Sequence, residues 1–143
     1  MVSKGNIGSQ GRRYRFALYP VPRRTITHIQ EIFDVVTQTQ RQMRELSFSR
    51  ERFISPTSTE DDLIAEGIIN RVLRVAEEAG RIDPDIAREY GFDTKGASGV
   101  RNRLAHAYGE VDRDILWQVV TEDFDSLLRS CQAYCDDRGL ELS

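Results

Sequence analysis

The sequence predicts an all-α fold, an antiparallel bundle of about five helices. Three observations predict it. Apolar residues recur at helical spacing in long runs, strand-like alternation is absent throughout, and helix-capping or helix-ending residues separate the runs. Helices with one apolar stripe bury it against one another, and short connections favour antiparallel neighbours. The 143 residues, 39% hydrophobic and 30% charged, fit one globular domain. A chain of this size buries roughly 68–70% of its unfolded surface, enough for a core without staples.

The first helix is expected from Thr25 to Leu46, with Ile29, Ile32, Phe33, Val36 and Met43 on one stripe. Residues 47–57 read as a loop broken by Pro56, with Phe48 and Phe53 anchoring it in the core. The second helix begins near Thr59, which with Asp62 has the form of a capping box. Its stripe is Ile64, Ile68, Ile69, Val72, Val75, Ala76 and Ala79, and Gly80 helps to end it. A short third helix has Asp83 as N-cap and Pro84 in its first turn, and ends near Gly91. A fourth is expected from Ala97 or Gly99 to Tyr108, with Gly109 as a stop. The fifth opens at Asp112 and ends at Gly139, its stripe running from Ile115 and Leu116 to Cys131 and Tyr134.

Composition narrows the setting. Cys131 and Cys135 lie four residues apart, where a disulfide within one helical turn would be strained, so they point to core packing in a reducing compartment, hence the cytoplasm. No run approaches the ~18 apolar residues of a membrane span, and residues 1–10 have no secretory apolar core. The only histidines are His28 and His106, and no metal-ligand cluster is visible, so neither metal nor cofactor is expected. Residues 1–24 carry Lys4, Arg12, Arg13, Arg15, Arg23 and Arg24 and no acid, whereas the rest holds 14 basic against 23 acidic residues. This divides the chain into a flexible basic arm over 1–24, partly tag-like or disordered, and a helical domain over 25–143. The arm reads either as a solvated tail or as a segment that meets phosphates or an acidic partner.

The informative run is Gly99-Val-Arg-Asn-Arg-Leu-Ala-His-Ala-Tyr108. On an ideal helix with Arg101 at zero, Tyr108 lies at about −20°, Asn102 at about 100° and His106 at about 140°. Val100, Leu104 and Ala107 fall near 240–300°, giving an apolar back. The front carries a guanidinium, an amide, an imidazole and a phenol, with small Ser98 and Ala105 leaving room for close approach. Asn102 and His106 are i and i+4 neighbours, so the amide is placed to orient the ring. The set suits a phosphodiester. A guanidinium matches phosphate oxygens with a planar fork and stays charged, and an imidazole suits general acid or base work near neutrality. RNA supplies its own 2′-hydroxyl nucleophile. Taking one proton off and putting another on is easier with two such sets, and a two-fold dimer duplicates each residue across its axis. This helix is therefore expected at a dimer cleft. The bland alternative is an ordinary surface helix.

Arg101-Asn102-Arg103-Leu104-Ala105-His106-Ala107-Tyr108 resembles the signature of the HepT-like toxins of the HEPN superfamily: Arg, four residues, His, one residue, Tyr, with a polar residue after the Arg. Val111-Asp112 followed by Trp117 resembles the same family, as do His28-Ile29 with Glu31-Ile32, Leu46-Ser47-Phe48 and Ala76-Glu77-Glu78-Ala79 upstream. The resemblance covers residues 25–136 and makes the domain HEPN-like. It implies a helical homodimer with the motif at a composite cleft, acting as a metal-independent endoribonuclease on RNA, tRNA or mRNA. It implies catalytic Arg101 and His106, a supporting Asn102, and Tyr108 as acceptor of AMP from a cognate MntA-like nucleotidyltransferase antitoxin. Attack of the 2′-hydroxyl would leave a cyclic phosphate, and AMP on Tyr108 would fill the place of an RNA phosphate beside Arg101. The loop over 92–99, Glu77 in place of the family's glycine, and the basic arm depart from the family pattern. The alternative function is a non-catalytic nucleotide-binding or scaffold subunit that partners a minimal nucleotidyltransferase.

The other polar residues read more plainly. Glu77 and Glu78 either hold Arg101 or form an exposed pair. His28 reads as a capping or surface residue. Trp117 reads as a core or dimer anchor rather than a base-stacking platform. Arg103 lies between front and back, where it meets RNA or a partner, and is left outside the catalytic set.

Overall fold

The computed structural model describes residues 25–106 and 112–142. Among these residues it is all-helical. The helices are α1 (Thr25–Glu45), α2 (Arg50–Ile54), α3 (Thr59–Ala79), α4 (Pro84–Tyr90), α5 (Thr94–His106), α6 (Arg113–Gln118) and α7 (Phe124–Asp137), with a π-helical turn, Val119–Asp123, joining the last two. None is long and apolar enough to cross a membrane. The arm over 1–24, and Tyr108 with its neighbours, lie outside the described residues.

α3 is the central helix. It packs on α1, α2 and α5, while α7 covers α1 and α4. The antiparallel pairing is read from its bonds: Arg74 near the end of α3 reaches Glu31 near the start of α1, and Arg71, one turn earlier, reaches Gln42 near the end of α1. Ile29, Ile32, Val36, Phe53, Val72, Val120, Phe124 and both cysteines form the sealed centre. Burial pushes the Cys131 thiol up to about 12 and raises Cys135 as well, so both act as small apolar fillers.

The segment expected as a loop over 47–57 contains α2. A one-turn helix offers too few positions to show a period, yet the local chemistry builds one. Ser49 caps it by accepting from Arg52 N, and Phe53 is fully buried. Phe48 is buried too, as expected of an anchor. Arg52 ties three elements together. It donates to Asp61 at 2.7 and 3.0 Å, donates to the carbonyls of Leu46 and Ser47 at the end of α1, and stacks over the Phe48 ring at 4.7 Å. The α3 cap sits one residue earlier than the capping box suggests: Ser58 accepts from Asp61 N.

Arg52 bonded to the Asp61 carboxylate holds that carboxyl below its ordinary value. A carboxyl depressed in the folded state contributes stability above its unfolded value near 3.9, and loses it as pH falls through the lower folded value. Asp61→Asn is therefore expected to melt below the wild type at pH 7. The gap should narrow in melts taken below about pH 4.

The α1 terminus carries a second testable feature. Ser47 has φ 48° and occupies the left-handed position of a Schellman cap, with its N–H on Arg44 O and the Phe48 N–H on Met43 O. α7 closes the same way with Gly139 at φ 64°, the residue expected to end it. A side chain at the left-handed position is strained where glycine is not. Ser47→Gly is expected to raise stability by about 0.5–1 kcal/mol, a Tm rise of roughly 2–3 °C by calorimetry.

The expected fifth helix is interrupted. At Val119–Asp123 the backbone widens to a π turn, and the Phe124 N–H bonds Val119 O. The extra residue rotates α6 against α7, so Ile115 is 49% exposed although it begins the predicted stripe. A strict 3.6 period cannot reveal such a shift.

A candidate active site on the fifth helix

α5 starts earlier than the sequence suggests. Asp93 caps it: its Oδ1 accepts from Gly96 N at 2.8 Å, and its carbonyl takes the first helical bond from Ala97 N. The glycines that read as loop are inside the helix. A Cβ on Gly96 would lie 2.2 Å from Asp93 Oδ2, so a side chain there would push the capping carboxylate aside.

The back of α5 is as the helical wheel predicts. Leu104 is buried, and Val100 and Ala97 are partly buried against the core. The front is exposed: Arg101, Asn102, Arg103, Ala105 and His106 all face solvent. The structure therefore brings Arg101, Asn102 and His106 onto one short exposed helix, while Tyr108 lies beyond the described residues. Two details differ from expectation. Asn102 does not orient the imidazole; its Oδ1 accepts from Arg101 Nη2 at 3.0 Å, so the amide steers the guanidinium. Ser98 does not line the open front. It is half-buried, and a Cβ on Gly80 would meet its Oγ at 3.3 Å. Gly80 thus sets a close approach of α3 to α5, with right-handed backbone at φ −68°.

Sequence reasoning misplaced a pair that joins α1 to α3. His28 is not a surface or capping residue. It is 5% exposed, and its Nδ1 bonds Glu78 Oε1 at 2.9 Å. Glu78 is likewise buried, and Arg81 Nη1 lies 3.7 Å from its other oxygen. The carboxylate turns toward α1 and Arg81, not toward Arg101. A buried acid needs such partners. The signal was available in principle: two segments that carry the family resemblance, His28-Ile29 and Ala76–Ala79, meet here. Trp117 is a core anchor, its ring 5.5 Å from Phe53.

An apolar cavity of about 430 Å³ lies on the side of α5 opposite the motif, between α3, α5 and the α6–α7 junction. Val75, Ala79, Val100 and Phe124 line it, with Asp93 and Asp123 among its walls. Burial, then Glu122 and Asp93, raises the Asp123 carboxyl above its ordinary value. Among the described residues no three of His, Cys, Asp and Glu stand together to hold a metal ion.

A sequence model of the family described as Ribonuclease HepT-like matches residues 26–134, from the second residue of α1 nearly to the end of α7. Comparison with curated proteins and with solved structures returns no match.

Proposed function

This chain belongs to the HepT-like ribonuclease family, and we propose that it is the toxin of a toxin–antitoxin pair, cutting RNA without a metal. The observation that carries this reading is the exposed front of α5, where Arg101, Asn102 and His106 stand together above an apolar back that seats the helix on the core.

In this reading Arg101, steered by Asn102, binds the scissile phosphate through its planar fork. His106 moves the proton as the 2′-hydroxyl attacks the adjacent phosphorus. The bond from phosphorus to the 5′-oxygen breaks, leaving a 2′,3′-cyclic phosphate and a 5′-hydroxyl. One α5 presents one imidazole, so a homodimer that faces two such helices supplies both the base and the acid. Tyr108, two residues beyond His106, accepts AMP from a nucleotidyltransferase partner, and the added phosphate competes with RNA for Arg101.

The test is direct. Purified protein incubated with RNA in excess chelator should release fragments ending in cyclic phosphate, and should sediment as a dimer. Co-expression with the cognate nucleotidyltransferase should add the mass of AMP to Tyr108 and silence cleavage. RNA left intact by protein whose Tyr108 is unmodified would point instead to a scaffold subunit.

A further inference from the structure

We propose that α5 carries a single-stranded RNA along its length, with Lys95 at the far end gripping a phosphate remote from the cut. The inference rests on the ribonuclease reading and adds a substrate-positioning residue outside the motif.

The charge of α5 is the first observation. Between Thr94 and His106 it holds Lys95, Arg101, Arg103 and His106 and no acid, although acids outnumber bases 23 to 14 from residue 25 onward. Seven of the eleven described arginines outside α5 have a carboxylate within 4 Å. Among the described residues, none of Lys95, Arg101 and Arg103 has such a partner.

Position is the second observation. On the wheel that places Arg101 at zero, Lys95 falls at about 120°, between Asn102 at about 100° and His106 at about 140°, with Gly99 at about 160°. All four are exposed and fall within about 60° of arc, so they form one narrow strip along the solvent face, with Arg101 about 100° beyond its edge. Gly99 leaves a gap in that strip, since nothing lies within 4 Å of where its Cβ would be.

Helix stability does not account for Lys95. The first turn of a helix has its positive dipole end there, which favours acids and disfavours a cation. Arg103 and His106 in the last turn suit the dipole, whereas Lys95 opposes it. A charge placed against the dipole, with no carboxylate partner among the described residues and in line with Asn102 and His106, fits a ligand with negative charge.

Length decides which ligand. Lys95 and His106 are eleven positions apart, about 16 Å of helix rise. One phosphate cannot span that. A stacked strand rising about 3.4 Å per nucleotide covers it in about five nucleotides. A duplex fits worse, because the deep, narrow major groove of A-form RNA does not admit a helix.

The experiment measures binding in a non-cleaving background. His106→Ala protein, with and without Lys95→Gln, is titrated against labelled single-stranded RNA of twelve and of three nucleotides, by anisotropy at several salt concentrations. On the twelve-mer, Lys95→Gln should weaken binding about three- to tenfold at low salt and reduce the salt slope by about 0.7. On the three-mer the penalty should vanish. Lys95→Arg should keep both affinity and slope. Gly99→Glu fits the open space, so it should keep the fold by circular dichroism and still lose the twelve-mer.

An unchanged slope, an equal penalty on both lengths, or intact binding by Gly99→Glu would overturn the path. An unchanged slope is also the outcome if the strip serves an acidic protein surface instead. Failure of the wild type to cleave any RNA would sink the nuclease reading separately, while these slopes still decide whether a strand lies on α5.

Discussion

His106→Ala is expected to lower kcat/KM for RNA by about 10²–10⁴-fold if the imidazole acts as the proposed acid–base group. Arg101→Ala is expected to lower it by about 10²–10³-fold, the loss when one donor to developing phosphate charge is removed. Both side chains are exposed, and neither holds the fold together. The variants should therefore melt within about 1–2 °C of the wild type, since surface changes away from packing rarely exceed 0.5 kcal/mol. The double variant should fall far short of the product of the two losses, because residues that act on one phosphorus act as a unit. Arg101→Lys should not restore activity, since an ammonium lacks the planar fork and cannot share the Asn102 carbonyl in the same geometry. Rates within threefold of wild type for either alanine variant would move the chemistry off this helix.

Phe53→Ala is expected to destabilise the domain by about 3–5 kcal/mol, the range for truncating a buried aromatic. Phe53 is 0% exposed although it sits on a five-residue helix in a segment rich in turns. Its ring meets Trp117 at 5.5 Å and lies under the Arg113 guanidinium at 5.8 Å, and its carbonyl accepts from Arg113 Nη1 at 2.8 Å. Truncation therefore opens the contact between α2 and α6. Thermal melts should fall by roughly 10 °C, at about 2–4 °C per kcal/mol for a chain of this size. Trp117, the single tryptophan, should shift its emission to the red as its neighbour disappears. A melt unchanged within 2 °C would mean that the site refills and that Phe53 is not the anchor.

Long-period patterning made most of the fold readable. α1, α3 and α4 lie where their apolar stripes and the Asp83-Pro84 start place them, because burial of one helix face imposes a period that survives in sequence. Helix spacing also put Arg101, Asn102 and His106 on one exposed helix, as observed, whereas their catalytic reading came from the resemblance to the HepT-like signature.

Other features depend on partners distant in the chain, which no local period reports. The burial of His28 is decided by Glu78, fifty residues away, and that of Ser98 by the missing side chain at Gly80. Asn102 turned to Arg101 rather than His106 because two side-chain geometries compete for one amide. The π turn at Val119–Asp123 arises where α6 and α7 must each face a different part of the core. Sequence alone thus determined the long helices and most of the residues that share their faces, since both follow from backbone geometry, while one-turn α2, the early start of α5 and the π turn escaped it. Tertiary structure alone decided which polar groups are buried and what satisfies them, since burial is a property of neighbours brought from elsewhere in the chain.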